Sequence, residues 1–215
     1  MSDIDPTWPA LFLKLLNDHA VSDAAHDVEH IRRVVTNARR LAQAEGADER
    51  VVIPAAWLHD CVVVPKSSPL RTQASQLAAR QAVAWLEEHA WPYGRLEEIA
   101  HAIEAHSFSA GIATRSLEAK VMQDADRLDA LGAVGLARTL MLGAEMKREF
   151  YHPADPFCEN RPPDDGIYTL DHLYSKLLTL EGTMKTESGR KEAARRTEFL
   201  REFLAQMRME VISLG

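Results

Sequence analysis

Four side chains of metal-binding type fall where the surrounding spacing demands burial. His30 lies four residues before Val34 and eight before Ala38, on the apolar stripe of a helix. His59 and Asp60 close the apolar run AAWLHD, with His59 four residues past Ala55 and facing inward, and the chain leaves the helix directly afterwards. Asp126, in VMQDADRLDALG, stands four residues past Met122 on another inward face. An uncompensated carboxylate in such a place costs on the order of several kcal/mol, so the four groups require a shared partner. Two imidazoles and two carboxylates suit one divalent ion of borderline to hard character, and leave about two positions of an octahedron for water and a phosphate oxygen. A water held there has a lowered pKa and can attack phosphorus while the ion offsets phosphate charge. The chemistry indicated is hydrolysis of a phosphate ester or anhydride.

The elements that must position these residues are helices. Apolar residues recur at helical spacing along almost the whole chain, and Val62 to Val64 is a short β-branched cluster, so the fold class expected is all-α. The periodicity predicts helices over Trp8 to Ala20, Val28 to Ala44, Glu49 to Asp60 with Pro54 inside it, Thr72 to His89, Leu96 to His106 and Leu117 to about Asp126. A further helix is expected from Ala130 to Phe150, and two closing ones over Asp171 to Met184 and Ser188 to Val211. The intervening segment YHPADPFCENRPPDDGIY, residues 151–168, holds four prolines among its acids and cannot continue a helix, which makes it a candidate mobile lid. At 215 residues one domain is expected, with a core of about 20–130 and the closing helices and lid loop packed on it.

Composition narrows the partners. Apolar residues at 46% and charged residues at 27% describe an ordinary globular chain. A net charge of −7 with no basic run gives no attraction to duplex nucleic acid or an anionic membrane, so phosphate must be met locally by a metal and a few cations. The first twenty residues place acids ahead of an apolar stretch broken by Lys14 and read as neither signal peptide nor membrane span. Two isolated cysteines, Cys61 and Cys158, indicate no disulfide framework and no thiolate zinc site, and point to a reducing cytoplasm. A monomer or homodimer is expected.

The ordered set His, His-Asp, Asp, carried by HDVEHIRRV, AAWLHDC and QDADRLDALG, resembles the HD superfamily of metal-dependent phosphohydrolases. IEAHSFSAGI, LEAKVMQDADRLDALGAVG, DPFC and DHLYSKLLTL continue the pattern of a narrower bacterial subgroup, the YedJ and YpgQ type, so the resemblance runs from about Asp23 to Glu210. It implies the helical HD fold and one divalent metal on His30, His59, Asp60 and Asp126, often manganese, with magnesium, iron, cobalt or nickel as alternatives. It also implies hydrolysis of nucleotides, from triphosphate to monophosphate plus pyrophosphate in the YpgQ type. His26 is the rival ligand in HDVEH; His30 is preferred because it precedes Arg33 and Val34 by the family's interval, leaving His26 at the helix entrance.

Around the four ligands stand further candidates for catalysis and substrate binding. Asp60 is assigned a catalytic as well as a ligating role. His106 follows Ile99 and Ile103 on one stripe and could touch substrate phosphate or a second metal, the alternative being a satisfied core histidine. Asp129, three residues past Asp126, could orient a ligand or the attacking water, or instead serve as a helix cap or form a salt bridge with the neighbours of Arg127. Lys66 and Arg71, in the loop VVVPKSSPLR after the His-Asp pair, suit a polyphosphate, and Lys176 in DHLYSKL could add a phosphate contact. His152, Arg161 and Asp164 are weaker candidates in the 151–168 segment. Cys61 and Cys158 are expected to be inert, and His19, His89, His101 and His172 to lie at the surface or at helix ends. Competing functions are a 5'-nucleotidase or other phosphomonoesterase, a di-iron oxygenase of the HD type, which would need more ligands than these, and a nucleotide sensor whose metal is structural.

Overall fold

A computed structural model describes residues 4–19, 28–64, 68–107 and 110–212. It is all-α: among the described residues there is no strand, and Val62 to Val64 form none. The chain divides into two compact units, 1–126 with 185–189, and 127–184 with 190–215.

The first unit contains α1 (Thr7–His19), α2 (Val28–Glu45), α3 (Glu49–Leu58), α4 (Ala74–Glu88, entered through a single 3-10 turn, Arg71–Gln73), α5 (Leu96–His106) and most of α6 (Leu117–Asp129). Its centre is α3, where eight successive residues from Val51 to Leu58 are buried. A helix apolar all round is stable only when neighbours cover every face, and α3 packs against α1, α2, α4 and α5. Asp48 caps it, accepting from the Arg50 amide at 2.9 Å. The Arg50 side chain, bonded to the same carboxylate, holds Asp48 below its usual pKa. Behind α3, Trp8, Phe12, Trp57, Trp85 and Trp91 form an aromatic cluster, with Trp8 edge-on to Trp91 at 4.7 Å. His59 and Asp60 follow at once where the chain leaves α3, so this rigid helix fixes their position.

The second unit holds the end of α6, α7 (Gly132–Glu145), the 151–168 segment, an irregular helical run and most of α9 (Glu187–Ile212). Two expected helices differ here. The one expected over Ala130 to Phe150 stops at Glu145 because Lys147 turns left-handed (φ 56°) and the Arg148 amide returns to the Gly143 carbonyl at 2.9 Å. Beyond it, Glu149 and Tyr168 pair in an isolated parallel bridge. The helix expected over Asp171 to Met184 is a π turn, Leu173–Leu177, then a short α8 (Leu178–Leu180) and a 3-10 turn, Glu181–Thr183. Changing pitch keeps Leu173, Leu177, Leu180 and Met184 all buried.

The 151–168 segment has no helix, as its prolines require, but it is not an unpacked loop. Phe157 is buried beneath the Arg208 guanidinium. Asp155 accepts the amides of Glu159 and Asn160, and Arg161 pairs with the buried carboxylate of Asp171. Four prolines exclude helix; they do not exclude order.

Candidate metal centre

In the first unit His30 of α2 and His59 and Asp60 at the end of α3 offer ligand atoms within 4.8 Å of one another, with Asp126 of α6 and His106 of the last turn of α5 beside them. His30 Nε2 lies 3.6 Å from Asp126 Oδ1 and 3.9 Å from Asp60 Oδ2. His59 Nε2 lies 3.5 Å from Asp60 Oδ2 and 3.8 Å from Asp126 Oδ1. These separations are too long for hydrogen bonds. They match the distances between ligands of one ion, because atoms each about 2.1 Å from a common centre stand roughly 3.0 to 4.2 Å apart.

The donor chemistry also fits an ion. His59 Nδ1 lies 2.9 Å from the Ala56 carbonyl, which can only accept, so Nδ1 carries the proton and Nε2 presents its lone pair. That nitrogen is buried without a hydrogen-bond partner. A buried acceptor left so is costly, and a cation between it and the two carboxylates removes the cost. His106 is built alike: Nδ1 meets the Ile103 carbonyl at 2.6 Å, and Nε2 faces Asp60 Oδ1 at 3.7 Å. Burial pushes the His106 pKa down, with His59 adding to the effect against the pull of Asp126 and Asp60. The histidine side chains are at most 8% exposed, whereas those of Asp60 and Asp126 are 25% and 27% exposed, so imidazoles form a dry floor and carboxylates an open rim. An ion seated there keeps a face open to substrate and water, the arrangement of a catalytic rather than a closed structural site.

Two buried amides, not foreseen from the sequence, hold the helices in register. Asn37 donates to the Ala125 carbonyl at 3.3 Å, next to Asp126, and Gln123 donates to the Ala105 carbonyl at 2.6 Å, next to His106. Asn37 sits seven residues past His30 on the same buried stripe, and a polar residue there was the available signal.

Residues 27–131 match the HD domain. YpgQ of Bacillus subtilis (strain 168) is 30% identical over 192 residues, which cover 87% of this chain and 85% of YpgQ. The chain belongs to the HD-domain family. As an HD protein it is a metal-dependent phosphohydrolase by family, and its YpgQ-like character extends over most of its length. Solved structures agree. An HD-superfamily hydrolase from Bacillus thuringiensis is 32% identical with a TM-score of 0.70, covering 94% of this chain and 97% of that one. A crystal structure of B. subtilis YpgQ in complex with ADP is 27% identical with a TM-score of 0.67, covering 93% and 97%.

The remaining candidates of this HD protein fall at varied places. Asp129 is buried, and its Oδ2 accepts from Arg138 at 2.7 Å, the salt-bridge reading of that residue. Arg71 is half-buried and donates to the Val64 carbonyl at 2.9 Å, which braces the loop after Asp60. Lys176 is exposed on the π turn. Lys66 and His26 lie outside the described residues. His152 Nδ1 accepts the amides of Ala154 and Asp155, and the Asp164 amide bonds Asp171, so these candidates and Arg161 are engaged within the 151–168 segment and its base. Burial, with the charge of Asp60 next, raises the thiol pKa of Cys61 to about 12, and burial with Asp171 raises that of Cys158 to about 11.

His101 differs from expectation. It is buried rather than at the surface, and its Nε2 accepts the Arg115 amide at 3.0 Å at the end of the loop that follows His106. Burial and the Arg115 charge push its pKa down. A histidine depressed in the folded state loses stability as pH falls below its unfolded value, about 6.5. The melting temperature of the apoprotein should therefore drop between about pH 7 and 5, and His101→Gln, which keeps an acceptor but cannot titrate, should reduce that drop. An identical pH dependence in the variant would remove His101 as a cause.

Proposed function

We propose that this HD protein hydrolyses nucleotides, cutting a nucleoside triphosphate between the α and β phosphates to give monophosphate and pyrophosphate. The observation that carries this reading is the cluster of His30, His59 and Asp60, whose ligand atoms lie within 4.8 Å of one another, with Asp126 Oδ1 3.6 and 3.8 Å from the two imidazoles and both carboxylates partly exposed. The ADP complex of YpgQ supports a nucleotide as the ligand. A divalent ion on these four residues, manganese by preference, supplies charge neutralisation for phosphate oxygens and a water of lowered pKa.

The chain's own groups supply the rest. Asp60 and Asp126 orient the open face, and the Ala56 carbonyl fixes the tautomer of His59. His106 Nε2 presents a lone pair 3.7 Å from Asp60 and accepts a proton from the attacking water. The water oxygen forms a bond to the α-phosphorus, the bond from that phosphorus to the bridging oxygen breaks, and pyrophosphate leaves with the bond electrons. Charge developing on that leaving group needs fixed cations, for which Lys66 and Arg71 are proposed, with Lys176 as a further phosphate contact.

The test is hydrolysis of nucleoside mono-, di- and triphosphates with manganese in isotopically labelled water. Label in the monophosphate and none in pyrophosphate is expected. Orthophosphate released from a monophosphate substrate would instead make the protein a nucleotidase. Arg71→Ala should lower kcat/KM ten- to a hundredfold, about 1.5 to 3 kcal/mol for a charge-assisted contact. Unchanged kcat/KM in that variant would leave Arg71 with its bond to Val64 alone.

A further inference from the structure

Within the first unit, α6 carries a second acid that faces away from the metal quartet. Asp124 is completely buried. Its oxygens accept the Lys185 amide at 2.9 and 3.1 Å, the Thr186 amide at 2.8 Å and the Thr186 hydroxyl at 2.7 Å. Thr186 Oγ1 in turn accepts the Gly189 amide at 3.0 Å, so the same hydroxyl caps the first turn of α9.

Gly189 shows how closely this junction is built. Its φ is not in the left-handed region, so the backbone does not require glycine. Glycine inside a helix is less favourable than alanine by about 1 kcal/mol. A Cβ at 189, however, would overlap Asp124 Oδ2 and stand 2.6 Å from Thr186 Oγ1. Glycine is thus required by the approach of the carboxylate.

Two residues further along α6 is Asp126. Its carboxylate stands 3.6 and 3.8 Å from the two imidazoles, beyond hydrogen bonding, so its place depends on the helix backbone that bears it. That backbone is gripped from both sides. Asn37 of α2 holds the Ala125 carbonyl, and the 185–189 turn holds the Asp124 side chain. We propose that Asp124 is a positioning residue for the metal centre: anchored by Lys185, Thr186 and Gly189, it fixes the rotation and register of α6 and with them the place of Asp126. The proposal rests on the metal reading of the quartet. Asp124 touches neither ion nor substrate.

Metal affinity and apoprotein stability separate this role from a purely structural anchor. Manganese titration by calorimetry on metal-stripped protein is compared for wild type, Asp124→Asn, Gly189→Ala, Thr186→Val and Thr186→Ser, alongside the melting temperature of each apoprotein. Asparagine turns an NH2 group against N–H donors, and alanine at 189 displaces the carboxylate. Both should weaken manganese binding about ten- to a hundredfold, the usual effect of losing a group that orients a ligand. Thr186→Val should weaken it less, and Thr186→Ser should restore wild-type affinity. Should Asp124→Asn fail to fold, Gly189→Ala and Thr186→Val carry the test. Affinities within twofold of wild type, with a lowered melting temperature, would make Asp124 a structural anchor and overturn the proposal. A wild-type protein that binds no manganese would overturn the metal reading itself, and this proposal with it.

Discussion

Asp60→Ala protein is expected to retain no divalent metal after purification and to lose phosphohydrolase turnover by about a thousandfold or more. Asp60 is the residue the geometry singles out, because one oxygen faces both His30 and His59 while the other faces His106. Removing it deletes one of two carboxylates and opens the floor to water. Loss of the ion removes several kcal/mol of transition-state charge stabilisation, and each 1.36 kcal/mol is tenfold in rate. The fold should survive. Without metal the two acids on the rim repel, so the Asp60→Ala apoprotein should melt no lower than wild type, while the rise in melting temperature on adding manganese should vanish. His30→Ala should likewise lose its metal and its turnover, and His26→Ala should keep its metal. Elemental analysis showing full metal content in Asp60→Ala would remove the quartet as the binding site. Loss of metal in His26→Ala with retention in His30→Ala would exchange the two histidines.

The burial of the three histidines is legible in the sequence because it depends on local periodicity. His30, His59 and His106 each fall on a stripe of apolar residues at helical spacing, and each is buried where that spacing puts it. Asp60 and Asp126 are candidates because acids beside such histidines call for a cation, and their oxygens stand 3.5 and 3.6 Å from the nearest imidazole nitrogens. What periodicity could not give was contact between residues far apart in the chain. Asp124 is the clearest case: it lies two residues from Asp126 in the same acidic run, yet its partners are about sixty residues away. No spacing rule distinguishes it from Asp129, which instead meets Arg138 one helix later. The irregular pitch over Leu173 to Thr183 was equally hidden, because four leucine and methionine positions at mixed intervals fit a regular helix as well as a strained one. The 151–168 segment shows the limit of composition. Proline content excludes helix, but the contacts that order the segment, among them the charge pair of Arg161 with Asp171 beyond its end and the burial of Phe157 under Arg208, join residues no spacing rule connects.

Breaking the pair of Arg161 with Asp171 should lower stability strongly at a place remote from the metal quartet. Asp171 is fully buried, and Arg161 Nη2 meets its Oδ1 at 2.8 Å while Nη1 engages the other oxygen. The Asp164 amide donates to that second oxygen at 2.6 Å. Burial raises the Asp171 pKa, but the Arg161 side chain and the Asp164 amide outweigh it and hold the carboxyl below its usual range. Arg161→Ala leaves a buried carboxylate without its cation, which costs about 3 to 5 kcal/mol, and Asp171→Ala should cost nearer the lower figure because Arg161 reaches solvent at one edge. For a chain of this length the lower figure corresponds to roughly a 6 to 12 °C fall in melting temperature. A double variant, Arg161→Met with Asp171→Leu, should recover much of the loss, since an apolar pair of similar volume is often no worse than the ion pair it replaces. The sign with pH follows from the depressed carboxyl: the contribution is present above the unfolded value of about 4 and is lost as pH falls through the folded one, so wild type and Asp171→Ala should converge in acid. Hydrogen exchange gives the local readout. Amides bonded to Asp155, those of Glu159 and Asn160, should exchange slowly in wild type and quickly in Asp171→Ala. A lid that orders only on nucleotide binding predicts the opposite for the wild type, fast exchange in the free protein that slows when a non-hydrolysable nucleotide is added. Slow exchange in both states, lost in Asp171→Ala, would establish the segment as a built part of the fold, whereas exchange indifferent to Asp171 would show that the pair does not hold it.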